Sequence, residues 1–152
     1  MKISEILTKD CVCVSLEATD KVGAITELVD LLDASGRLAQ RDSVLSAVLA
    51  REDIRSTAIA HGLAVPHGKS SGVTQLVMAI GKPATPIDFG PTTDHPACSL
   101  IVLLASPLDK AGPHIQALAG ISRFWLKPDC RDAVFAAATA DELYDAFGRY
   151  ES

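Results

Sequence analysis

Two histidines in this chain sit among neighbours that could turn an imidazole to chemistry. His67 follows Val65-Pro66 and precedes Gly68. Proline fixes its own φ and biases the residue before it toward an extended conformation, so His67 is expected at a strand end on a stiff stem. Gly68, without a Cβ, leaves room for another molecule to approach the backbone. A rigid, exposed imidazole in that setting suits nucleophilic attack by a ring nitrogen. Taken alone, a histidine after proline is more often a loop residue with a local hydrogen bond. The second histidine ends the run Asp109-Lys110-Ala111-Gly112-Pro113-His114, ahead of Ile115, Leu118, Ala119 and Ser122. Proline favours the first helical position, which predicts Gly112 at the N-cap and His114 in the first turn. A helix N-terminus offers free N–H groups and partial positive charge, a site for anions. The same field disfavours imidazolium, so His114 is expected neutral and able to donate a hydrogen bond. The plain alternative is an exposed histidine that merely suits a helix end.

Positioning these groups requires a frame, and the hydrophobic pattern outlines one. Val22, Ile25, Leu28, Val29 and Leu32 recur at helical spacing between Asp20 and Gly36, which serve as start and stop signals. A second helix fits Asp42 to Arg51, with Val44, Leu45, Val48 and Leu49 on one face. Thr57–Ala60 and Leu63–Val65 read as short strands around His61-Gly62. Gln75–Ile80 and Ser99–Ala105 are continuous apolar runs, the pattern of strands buried on both faces. Pro83–Pro96 between them is a turn-rich loop. Helix returns over Pro113–Leu126, then over Arg131–Ala137 capped by Asp129. A last helix opens on the capping box Thr139-Ala140-Asp141-Glu142 and pairs Leu143 with Phe147. Helices, strands and helices again predict an α/β layered fold: one domain over residues 1–152, a mixed sheet of four or five strands, helices on both faces, and short antiparallel hairpins at one side.

Composition narrows the function classes. The 152 residues are 48% apolar and 22% charged, with a mean hydropathy of +0.23. A chain of this size buries roughly 68–70% of its unfolded surface and folds without disulfides or metal. The net charge is −5, and only 5% of residues are aromatic. No basic stripe or stacking array for nucleic acid is present. The longest apolar runs are about six residues, far short of the ~20 a membrane span needs. The N-terminus has no apolar stretch of 7–15 residues, so no signal peptide is expected. Cys11, Cys13, Cys98 and Cys130 match no zinc spacing and read as free thiols of a cytoplasmic protein. Neither a nucleotide-binding glycine loop nor a carboxylate cluster for Mg²⁺ occurs, which argues against an ordinary kinase.

The segment Ser56-Thr57 followed by Gly62-Leu63-Ala64-Val65-Pro66-His67-Gly68-Lys69 makes the sequence recognisable. Leu49-Ala50-Arg51-Glu52 precedes it. Pro86-Ile87-Asp88-Phe89, Leu103-Leu104-Ala105-Ser106-Pro107 and His114-Ile115-Gln116-Ala117-Leu118-Ala119 follow. From about Ile3 to Phe147 the chain resembles the type 2 enzyme IIA domains, of fructose–mannitol type, of the bacterial phosphoenolpyruvate-dependent phosphotransferase system. Its stand-alone length and Pro-Ile-Asp-Phe block look most like the nitrogen-regulatory branch. The resemblance implies that His67 is phosphorylated by an HPr-like phosphocarrier protein. It implies that His114 hydrogen-bonds the phosphoryl group or its acceptor, and that Arg51 stands near them. Arg51 reads equally as a planar fork for phosphoryl oxygens and as a helix C-terminal cation.

Transfer from a phosphohistidine needs no metal and no cofactor, only positioning and charge stabilisation. The expected partners are that carrier and either regulatory target proteins or a IIB protein. A purely regulatory binding module switched by phosphorylation is a further reading. A metallohydrolase using His61, His67 and His114 is another, although none of the three pairs at i,i+4 on one helix. His61 departs from the family pattern, where sugar-type members often carry Glu and nitrogen-type members Asn; a turn residue is the favoured reading. His95, in Asp94-His95-Pro96, reads as a loop residue. Ser56 and Thr57 are candidate donors to a phosphoryl oxygen, and Thr57 equally a strand residue.

Overall fold

The structure is a computed structural model that describes residues 3–90 and 97–150. The chain forms α1 (Ile3–Ile6), β1 (Val12–Leu16), α2 (Lys21–Ala34), α3 (Arg41–Ile54), β2 (Ala58–Ile59), β3 (Leu63–Ala64), β4 (His67–Lys69), β5 (Val77–Pro83), β6 (Leu100–Ser106), α4 (Ala111–Leu126), α5 (Pro128–Ala136) and α6 (Ala140–Tyr150). The strands make one mixed sheet of order β1-β5-β6-β3-β2, with β4 also on β6. The α/β architecture is the one expected, with six strands because β1 joins and the segment around Pro66 divides in two. Short antiparallel pairing at one side is supplied by β2 and β3. α1 and β1 had no clear sequence signal.

Burial explains the centre of the sheet. All seven residues of β6 are buried, as are Val77 to Gly81 of β5. These strands have no solvent face, hence no alternation in sequence. One layer of helices, α2 and α3, packs on β4, β5 and β6. The other, α4 to α6 with α1, packs on β6 and β1. In α2 the Asp20 carboxylate accepts from Gly23 N–H at 2.7 Å, the N-cap expected, and Ala24, Ile25, Leu28, Val29 and Leu32 are buried. Val22 differs from the helical pattern read above: it is exposed, standing on the outer side of the first turn.

Two helix starts fall earlier than proline and cap statistics suggest. Lys110, not Gly112, occupies the N-cap of α4, which places Pro113 third in the helix. Lys127 opens α5 with Pro128 behind it, so Asp129 lies in the first turn rather than at the cap position. Proline also tolerates the second and third helical positions, because those N–H groups lack an intrahelical partner anyway. At α6 the Thr139 hydroxyl accepts from Glu142 N–H at 3.1 Å. The returning Glu142 carboxylate takes Ala138 N–H at 3.1 Å.

The strand segment from Leu63 to Lys69 runs parallel to β6 with one constant offset: Leu63 opposite Leu100, His67 opposite Leu104, Lys69 opposite Ser106. Val65-Pro66 interrupts the strand without shifting its register. The Pro66 carbonyl still accepts Leu104 N–H at 3.0 Å, and Val65 N–H reaches Thr57 O at 3.2 Å. His67 therefore opens a strand where it was expected to end one.

Candidate active site

His67 is half-buried at the start of β4. Its Nδ1 lies 2.7 Å from the carbonyl oxygen of Val65, two residues back. A carbonyl can only accept, so Nδ1 carries the proton. Burial holds the ring below the ordinary histidine pKa and the Arg51 charge adds to this, while the Val65 bond and Glu52 oppose. A neutral imidazole protonated on Nδ1 keeps its lone pair on Nε2. The extended stem that proline favours at Val65 accompanies a carbonyl set at the Nδ1 edge of the ring.

His114 comes from the fourth residue of α4 and is only 5% exposed. The two imidazole centroids are 5.3 Å apart, tilted by 58°. His114 Nδ1 stands 2.6 Å from the Ser106 hydroxyl, at the end of β6. Its backbone N–H bonds Lys110 O at 3.2 Å, so it offers no free helix N–H to a ligand. Burial pushes its pKa from 6.5 down to about 4, with the charges of His67 and Lys69 adding. The neutral state expected from the helix end is thus produced mainly by desolvation.

Arg51 lies in the last turn of α3 and gives one N–H to the Arg55 carbonyl at 2.9 Å. Two cavities of about 400 and 390 Å³ flank His67, and Arg51 lines both. The first adds Arg55, Ser56, Ile59 and Ser122; the second adds Ala47, Lys69 and His114. Leu118 also lines each. Glu52, next to Arg51, continues the buried stripe Val44–Val48 of α3. Its carboxylate accepts from Thr57 N–H at 3.1 Å and Thr57 Oγ1–H at 2.8 Å. Thr57 is thereby occupied within the fold. Ser56 Oγ accepts from Ala58 N–H at 3.2 Å and also lines a cavity.

Gly68 serves packing more than access. A Cβ there would stand 3.0 Å from the backbone of Ala47 and Val48, so the space expected for a visitor is filled by α3. His61 is exposed, with left-handed backbone at φ 66°, in the turn between β2 and β3. Leu63 pairs with Leu100 and His67 with Leu104, four residues along β6 or about 13 Å. His61, beyond Leu63, therefore belongs to the other end of the sheet, and the three histidines do not converge. His95 lies outside the described residues. Among the described residues Cys11, Cys13, Cys98 and Cys130 form no disulfide, and none of them lines either cavity. Ser106 and Lys69 stand in the sequence blocks quoted above without a role of their own. Register exposes both, since Lys69 and Ser106 are cross-strand partners beside His114. Leu108, in the turn before α4, and Ile115, the fifth residue of α4, are 66% and 63% exposed.

The family model described as "Phosphoenolpyruvate-dependent sugar phosphotransferase system, EIIA 2" matches residues 5–149. The chain is 32% identical over 143 residues to the "PTS system fructose-specific EIIA component" of Haloferax volcanii, covering 94% of this chain and 92% of that protein. It is 30% identical over 151 residues to the "PTS system fructose-specific EIIABC component" of Bacillus subtilis, of whose length it spans 24%. Among solved structures, "Nitrogen Regulatory Protein IIA-Ntr from Neisseria meningitidis" superposes with a TM-score of 0.82 at 26% identity, over 95% of this chain and 98% of that one. Among the described residues, no helix is long and apolar enough to cross a membrane.

Proposed function

Since the chain belongs to the EIIA 2 family of the phosphoenolpyruvate-dependent sugar phosphotransferase system, we propose that it relays a phosphoryl group through Nε2 of His67. The observation that carries this reading is the bond from His67 Nδ1–H to Val65 O, which leaves Nε2 with the lone pair. That lone pair attacks the phosphorus of a phosphohistidine on an HPr-like carrier. A P–N bond forms at His67, the carrier's P–N bond breaks, and the carrier imidazole keeps the electron pair. Transfer of this kind depends on positioning and on stabilising the phosphoryl oxygens. Arg51 supplies a guanidinium fork and His114 a neutral, buried ring beside it. Lys69 adds positive charge at the same cavity. The exposed Leu108 and Ile115 supply an apolar rim on which a transient partner can dock and leave. The setting is the cytoplasm, where four thiols stay reduced.

The phosphorylated protein acts as a metabolic relay, its new charge at His67 altering contacts with regulatory targets, as its resemblance to the nitrogen-regulatory branch suggests. The 32% identity to a fructose-specific EIIA component favours a second reading, in which the group passes on to a IIB protein. Incubation with phosphoenolpyruvate, enzyme I and a phosphocarrier should add one acid-labile phosphoryl group, seen by intact mass. His67→Ala should abolish it; full labelling of that variant would refute the proposal. Discharge on addition of IIB proteins separates the two outputs.

A further inference from the structure

The bond between Ser106 and His114 leaves open which atom donates, and burial decides it. Ser106 is the last residue of β6 and has no solvent exposure. Among the described residues, the one hydrogen-bond partner of its hydroxyl oxygen is His114 Nδ1, at 2.6 Å. If Nδ1 carried the proton and donated, the serine O–H would be left in a dry site with no acceptor, an arrangement native interiors avoid. If the hydroxyl donates, both groups are satisfied and the imidazole proton moves to Nε2.

We infer that Ser106 is a positioning residue that fixes the tautomer of His114, donating to Nδ1 so that Nε2–H faces the His67 phosphoryl site as a donor. The two imidazoles are then held in opposite tautomers. His67, bound to a carbonyl through Nδ1–H, offers a lone pair. His114, bound to a hydroxyl through bare Nδ1, offers a proton. Neutrality of His114 fits this role, since its burial opposes a second ring proton. The side-chain assignment stands on the geometry of the unphosphorylated protein; its consequence for transfer rests on the phosphoryl-relay reading above.

Long-range ¹H–¹⁵N spectra of the unphosphorylated protein read which ring nitrogen carries the proton. The wild type should show His114 as the Nε2–H form and His67 as the Nδ1–H form. Ser106→Ala should turn His114 into a mixture and leave His67 as it was. An Nδ1–H form of His114 in the wild type, or an unchanged form in Ser106→Ala, overturns the inference. In transfer assays Ser106→Ala should lower the rate at saturating phosphocarrier about 10-fold, by analogy with groups that orient a working histidine, with KM unchanged. Ser106→Thr, which keeps the hydroxyl, should restore most of the rate. An unchanged rate for Ser106→Ala overturns the positioning role. A wild-type protein that takes up no phosphate refutes the relay reading, while the nitrogen spectra still decide the tautomer.

Discussion

Lys82 and Arg51 are both half-buried cations at the ends of helices, and the fold uses them in opposite ways. Lys82, on β5, gives its ammonium to three carbonyls at the end of α5: Val134 at 2.9 Å, Phe135 at 3.2 Å and Ala137 at 2.7 Å. An ammonium has three donors, so none is left over. Arg51 has five and gives one to Arg55 O; that is its one protein hydrogen bond among the described residues. The rest of the fork borders two cavities beside His67, the proposed nucleophile. A cation saturated by backbone carbonyls holds two elements together. A cation with surplus donors at a cavity keeps them for an anion that arrives.

Exchanging the two losses tests that contrast. Arg51→Ala should slow phosphoryl transfer about 10²–10³-fold, the usual cost of removing a preorganised donor, while shifting unfolding stability by less than about 1 kcal/mol. Lys82→Met should transfer at the wild-type rate and lose about 2–3 kcal/mol by chemical denaturation, through the exposed carbonyl end of α5. Equal kinetic damage from both variants would break the distinction.

His114 sharpens it with pH. Its pKa is near 6.5 unfolded and about 4 folded, so only the unfolded chain takes up the proton between those values. Stability that is complete above pH 6.5 is therefore lost as pH falls toward 4, by about 2 kcal/mol between pH 7 and 4.5. Urea titrations of His114→Gln should lack that increment; an equal pH dependence in both proteins would mean the ring is not desolvated. The smallest effect belongs to His61. Glycine accepts its left-handed backbone without steric cost, so His61→Gly should change stability by less than about 1 kcal/mol and leave transfer untouched. Slowed transfer would return His61 to the active site.

The frame was legible where one physical signal dominated. Continuous apolar runs gave β5 and β6, and Asp20 before a helical stripe gave α2, because burial on both faces and end-capping leave marks within a few residues. His67 was visible because proline acts on its immediate neighbour. Ser106 was not, since its meaning depends on a partner eight residues away on another element. Glu52 was hidden for a similar reason: it ends an apolar stripe, and its role appears only once the chain folds back to Thr57. The start of α4 was misplaced by two residues because proline is acceptable anywhere in the first turn.

The contact of Gly68 with α3 has a consequence for how precisely the site is built. The backbones of Ala47 and Val48 rest against Gly68 with no room for one more carbon. Arg51 stands four residues after Ala47 on that helix, and His67 is the residue before Gly68. The gap between Arg51 and His67, the proposed clamp and nucleophile, is thus gauged by a missing atom. Alanine at position 68 would act as a shim, lifting the helix by a fraction of an ångström and carrying the guanidinium away from the ring. A residue with no chemistry of its own sets the tolerance to which the chemistry is machined.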